Sequence, residues 1–167
     1  MIPVPHAGDY PAYFTTYIAY LNGADPLATL RQYALGEYIG SLPSEKLEYR
    51  YAAGKWTPKD ILLHLADSER IFQYRILRFA RHDSTGLQGF EENDYALAAC
   101  ANDRSLESLT AEYKSVRAST ITLLESLHDA HWHRTGVANG TPVSVSAIAY
   151  AMAGHELHHL RILRERY

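Results

Sequence analysis

Apolar and polar positions along this chain repeat with helical rather than strand periods. Val145, Ile148, Met152, His155, His159 and Ile162 are separated by steps of three and four, the spacing of a stripe that faces a core. Leu106, Leu109, Tyr113, Val116, Thr120, Leu123 and Leu127 follow the same rule behind a cap at Ser105, as packing in a bundle requires. Trp56-Thr57-Pro58-Lys59-Asp60-Ile61 is a helix start. Thr57 can cap, Pro58 suits the first helical position, Asp60 can close a capping box, and Trp56 and Ile61 have staple spacing. That helix should continue through Ile71, Phe72, Ile76 and Phe79 to about Arg81.

The remaining segments complete an all-α pattern. Tyr10, Tyr13, Phe14, Tyr17, Ile18 and Leu21 predict an aromatic-faced N-terminal helix ended by Gly23, read as a packing or dimer surface rather than a ligand-binding one. Asp25-Pro26 opens a second helix that runs to about Leu42, where Pro43 stops it. Residues 44–55 read as connection. Residues 82–104, with Gly86 and Gly89, read as a long loop with one short turn near Tyr95–Ala99, of the kind that forms lids or pocket walls. A turn over His131–Pro142 leads to a last helix, capped by Ser144 or Thr141 and ending near Arg166. No segment reads as a strand. The expectation is one domain: four long helices over residues 25–167, with residues 1–24 as a helical extension of it.

Composition narrows the function classes. A chain of 167 residues buries a core without help from disulfides. Its 16 basic and 19 acidic residues are interspersed and leave a net charge of −3, which gives no footprint for nucleic acid. Cys100 is the only cysteine, so a reducing compartment is expected. No apolar run approaches the roughly 20 residues of a membrane span. Met1-Ile2-Pro3-Val4-Pro5 lacks the basic and apolar regions of a secretion signal, so the cytoplasm is the expected location.

The chemistry lies in the histidines. His155 and His159 share one helical face, with Cβ atoms about 5–6 Å apart, so both rings can reach one divalent ion. They interrupt an apolar stripe, and an unpaired polar group buried there is costly. His64, among Ile61, Leu65, Ser68 and Ile71, is a third ring where an apolar side chain would pack, and bundle cores build metal sites from facing helices. The plain alternative is a core histidine bonded to Ser68 or to a backbone carbonyl. His158 lies about 100° round the helix from His159 and reads as surface or as support for a ligand ring. His131 and His133 flank Trp132 in a turn and carry little weight; His6, His82 and His128 read as solvated. Ser68, Glu156 and His158 are the candidates to bond the ligand rings, and Asn93, Asp94 and Tyr95 to line the pocket mouth.

Three neutral imidazoles leave one coordination position open. Water there would have a pKa near 7, and a thiol would be deprotonated. His155-Glu156-Leu157-His158-His159 also matches the H-E-x-x-H pattern of zinc peptidases. That reading is set aside. Only eight residues follow His159, Glu165 would point about 120° away from it, and there is no sheet beside the helix.

Two segments together resemble a known family. Gly54-Lys55-Trp56-Thr57-Pro58-Lys59-Asp60-Ile61-Leu62-Leu63-His64-Leu65-Ala66-Asp67 is similar to the second-helix signature of DinB-like, or YfiT-like, proteins, and Gly154-His155-Glu156-Leu157-His158-His159 to their last-helix signature. The likeness covers about residues 25–167. It implies an up-down-down-up four-helix bundle that binds one divalent ion, zinc or nickel, through His64, His155 and His159, and a homodimer. Related enzymes include transferases and isomerases that use low-molecular-weight thiols, and metal-dependent hydrolases. The expectation is therefore a metalloenzyme that activates a thiol or water toward a small electrophile. The alternative is a non-catalytic, stress-associated metal-binding dimer whose site is closed by Glu156 or His158. No partner beyond a small molecule and a second copy is expected.

Overall fold

Helix starts in this protein follow from capping side chains. A computed structural model describes residues 1–167. Helix α4, Pro58–Ala80, opens on a complete capping box: Thr57 Oγ1 accepts the Asp60 N–H at 3.0 Å, and Asp60 accepts the Thr57 N–H at 2.9 Å. Helix α6, Leu106–Glu125, is capped by Ser105, and α8, Val145–Arg166, by Ser144. Helix α1, Phe14–Tyr20, forms where the aromatic periodicity places it.

The second predicted helix is broken in two. Helix α2, Pro26–Leu30, and α3, Ala34–Gly40, are separated by Tyr33 in the left-handed region at φ 50°. In an unbroken helix the Leu30 carbonyl would accept from Ala34, and the Leu35 N–H would donate to Arg31. Here the Leu30 carbonyl accepts Arg117 Nη1 at 2.7 Å, and the Leu35 N–H donates to Glu156 Oε1 at 3.2 Å. Two side chains from other helices take the bonds that would have closed the turn.

Cross-helix bonds give the topology. Arg31 of the α2 end pairs with Glu125 and Tyr33 packs on Tyr113, so the α2–α3 pair runs against α6. Lys59 meets Asn102 just before α6, Arg70 meets Glu112, and Gln73 meets Ser119, so α4 and α6 are parallel. Trp56 bonds Tyr167 and His64 contacts His155, so α8 is antiparallel to α4. This is an up-down-down-up four-helix bundle, with α1 laid across α8.

Parallel neighbours need a crossover as long as the helices. Residues 81–105 supply it. The crossover is more ordered than its sequence suggests, with helix α5, Glu92–Ala98, and a 3-10 turn at Ala101–Asp103. Between α6 and α8 stand α7, Asp129–Trp132, and a two-stranded antiparallel hairpin, β1, Thr135–Ala138, and β2, Thr141–Ser144. The sequence reading of this stretch as a simple turn is corrected. Its missed signal is Asn139-Gly140, at φ 50° and 73°, the two-residue turn that matches strand twist. Leu87 exchanges backbone bonds with Val137 and Asn139, both 2.9 Å, which clips the crossover to the hairpin.

The apolar core has two parts with a polar layer between them. One holds Val145 and Ala147–Ala153 of α8, Ile76, Phe79 and Ala80 of α4 and Leu124; the other holds Leu160, Leu163, Ile61, Leu62, Leu63, Leu65, Ala66, Leu109, Tyr113 and Val116. Between them on each helix sit His155, Glu156 and His159, Ser68, Glu69 and Arg75, and Arg117 and Thr120, all buried. The layer must satisfy itself internally. Arg117, with its side chain 1 % exposed, binds Glu69 through Nε at 2.9 and 3.0 Å and Nη2 at 2.8 Å, and Glu156 through Nη2 at 2.6 Å. Burial alone would lower the Arg117 pKa; the two carboxylates raise it instead. No helix is long and apolar enough to cross a membrane.

Candidate metal centre

His64 enters the polar layer from α4, and His155 and His159 enter from consecutive turns of the antiparallel α8. Their Nε2 atoms converge: His64 to His155 at 3.1 Å and His159 to His155 at 3.0 Å, with all three ligand atoms within 4.8 Å of one another. All three residues are buried. Burial pushes the His64 imidazole down to about 4. Burial also holds His155 and His159 well below the ordinary imidazole value, and the neighbouring rings add to it. At neutral pH these are three uncharged rings.

Protons alone do not satisfy this cluster. Each Nε2 has either one N–H or one in-plane lone pair. His155 Nε2 can therefore bond only one of its two neighbours, and the other ring is left without a partner. A divalent cation accepts all three lone pairs at once. Bonds of about 2.0–2.1 Å in tetrahedral arrangement place nitrogens about 3.3 Å apart, close to the separations found here. The donor set fits a cation.

The rings are held by aromatic neighbours. Trp56 lies 4.4 Å from the His64 ring and is stacked on His159 at 6.0 Å. Tyr17 and Phe72 meet His155 edge-on at 5.3 and 6.2 Å. Gly154 makes room for α1: a Cβ there would stand 1.9 Å from the Tyr17 carbonyl oxygen. Helix α1 thus packs as expected, but it also brings tyrosines to the histidines, which its sequence alone had not suggested.

The supporting residues fall differently from expectation. Ser68 Oγ is 3.5 Å from His64 Nδ1, at the outer limit of a hydrogen bond. Glu156, read as a partner of a ligand ring, is instead buried against Arg117 and the Leu35 amide. His158 packs between Tyr17 and Tyr20, and its Nδ1 has no partner; nor does His159 Nδ1. Asn93 lines a cavity of about 200 Å³ with Trp56, His159 and Tyr167. Tyr95 packs on Phe90, which lines a second cavity of about 250 Å³ with His64 and His155. Asp94 lines neither cavity. A larger groove of about 500 Å³, walled by Arg50, Asp60 and Cys100, does not reach the histidines. Sequence reading missed Glu69, Arg75 and Arg117. Each is a charged residue at a core-facing step of its helix, and that was the available signal.

A profile of the DinB superfamily matches residues 28–163. Proteins of Geobacillus thermodenitrificans and Geobacillus kaustophilus are 28% and 29% identical over 138 and 133 residues, covering 80% and 77% of this chain and 78% and 75% of theirs. A protein of Oceanobacillus iheyensis is 27% identical over 130 residues, covering 75% of this chain and 73% of its own. All three bear the name "Putative metal-dependent hydrolase". Among solved structures, YfiT from Bacillus subtilis superposes with a TM-score of 0.71 at 18% identity, covering 98% of this chain and 90% of that one. It is described as "a probable metal-dependent hydrolase with an unusual four-helix bundle topology".

Proposed function

Since the chain belongs to the DinB superfamily, we propose that it is a metal-dependent enzyme that holds one divalent cation on His64, His155 and His159. The observation that carries this reading is the convergence of three neutral, buried Nε2 atoms that protons cannot mutually satisfy. The names of the three relatives point the same way. When bound, such an ion supplies Lewis acidity and lowers the pKa of a water or thiol at its open position. The protein's part is orientation. Trp56, Phe72 and Tyr17 fix the rings, and the two cavities give a small molecule access to them. The reaction is attack by water or a low-molecular-weight thiol on a small electrophile, of hydrolase or thiol-transferase type. Zinc or nickel is the ion, and a homodimer the working unit, that the family resemblance implies.

A non-catalytic, closed site would need a fourth protein ligand. Its two candidates are engaged elsewhere, Glu156 with Arg117 and His158 with Tyr17 and Tyr20. The open site is therefore preferred. Elemental analysis of untagged protein should find about one divalent ion per chain, and His159→Ala should lose it. Chelator should lower the melting temperature of the wild type only. A wild type with no stoichiometric ion would overturn the reading. Sedimentation of the loaded protein tests the dimer.

A further inference from the structure

Six charged side chains are buried in this molecule: Lys59, Asp60, Glu69, Arg75, Arg117 and Glu156. Five are ion-paired, Lys59 with Glu48, Asp60 with Arg50, and Glu69 and Glu156 with Arg117. Arg75 is not. It is 6 % exposed, no carboxylate pairs with it, and its single hydrogen bond runs from Nη2 to the Gln88 carbonyl at 3.0 Å. Burial lowers its pKa, as expected for a cation without a counter-charge. Nε and Nη1 have no partner in the protein, yet they are not sealed from contact as a trapped polar atom would be. Arg75 lines a cavity of about 250 Å³ together with His64 and His155.

An uncompensated buried guanidinium is costly. A fixed fork of donors beside a candidate metal centre is what recognition of an oxyanion requires. Tyr13, Tyr17, Ser68 and Asn139 line the same cavity and add neutral hydrogen-bonding groups. The cavity is small, and its one acidic wall residue, Glu92, is exposed and forms no bond to Arg75. One cation opposed by one nearby acid suits a singly charged anion better than a dianion. We propose that the small molecule acted on at this site carries a carboxylate, that Arg75 binds it, and that this sets which end of the molecule faces the histidines. The inference rests on the metal-centre reading for the reaction but not for the anion site itself.

The test uses matched ligands on the full chain, cobalt-loaded and metal-free. The carboxylates 3-mercaptopropionate and 4-mercaptobutyrate are compared with the neutral 3-mercaptopropanamide and with 3-sulfanylpropylphosphonate, binding being measured by calorimetry and ligand-observed NMR. At least one carboxylate should bind about tenfold or more tighter than the amide, the contribution of a charge-assisted bond. Arg75→Gln should abolish that gap while leaving the amide affinity and cobalt stoichiometry unchanged. Arg75→Lys, which keeps the charge without the fork, should narrow it. Equal binding of carboxylate and amide to the wild type would overturn the proposal without recourse to any variant. So would a gap that survives Arg75→Gln, or a phosphonate that outcompetes both carboxylates. Failure of the protein to take up stoichiometric cobalt would sink the metal reading alone, and lack of a thiolate-to-cobalt band with every probe only its thiol version; a carboxylate gap in metal-free protein would still support Arg75 as the anion site.

Discussion

The three histidines make stability depend on pH in a direction set by their burial. In metal-free protein the His64 pKa is about 4 when folded against 6.5 for a free imidazole, so between these values the unfolded chain binds more protons. Stability therefore falls as pH drops through this window and levels off below it, by up to about 3 kcal/mol for His64 alone. His155 and His159, displaced the same way, steepen the loss. Urea unfolding in chelator at pH 7.5, 5.5 and 4.5 should show it, and His64→Phe should flatten the slope. Arg117 offers a second prediction. Arg117→Met leaves Glu69 and Glu156 buried and unpaired, which should cost about 3–5 kcal/mol. The histidines were legible in the sequence because two of them interrupt an apolar stripe at a four-residue step. Arg117 and Glu69 obey the same periodicity, but the pattern gives no sign that they meet.

At the scale of elements, local chemistry and tertiary chemistry divide cleanly. Helix α4 starts where Thr57, Pro58 and Asp60 say it must, since its capping bonds lie within four residues of sequence. The break between α2 and α3 has no local cause. It depends on Arg117 and Glu156, which lie far along the chain and were invisible to a reading by neighbourhood. The hairpin was missed for the opposite reason, because its signal is only two residues long between very short strands. Helix α1 gives the test at this scale. Gly154→Ala drives a methyl into the Tyr17 carbonyl and should lift α1 from α8, destabilising by about 1–3 kcal/mol or more. Limited proteolysis should then release residues 1–24 faster than from the wild type, and metal affinity should fall as Tyr17 leaves His155.

For the whole molecule, a cation held by His64, His155 and His159 would join α4 to α8 between the two apolar cores. Ligand that binds only the folded state stabilises by about 2.7 kcal/mol at a hundredfold excess over Kd. For a chain of this size that corresponds to a rise of about 5–10 °C in melting temperature. Calorimetry with zinc or nickel ions should show the rise in the wild type and not in His64→Phe. The up-down-down-up order follows from bonds across helices that sequence periodicity does not contain, such as Arg70 to Glu112. The three long helices α4, α6 and α8, by contrast, were readable from their caps and stripes, whereas the fourth rod of the bundle is the broken α2–α3 pair.

The parallel pairing of α4 and α6 has one more consequence. Because the chain must travel the length of the bundle between them, the passage comes to lie against the histidine layer, where Gly89, Phe90, Glu92 and Asn93 become cavity wall. That wall belongs to no bundle helix. Its residues can be exchanged to admit a different guest while the imidazoles, on their two long rods, stay where they are.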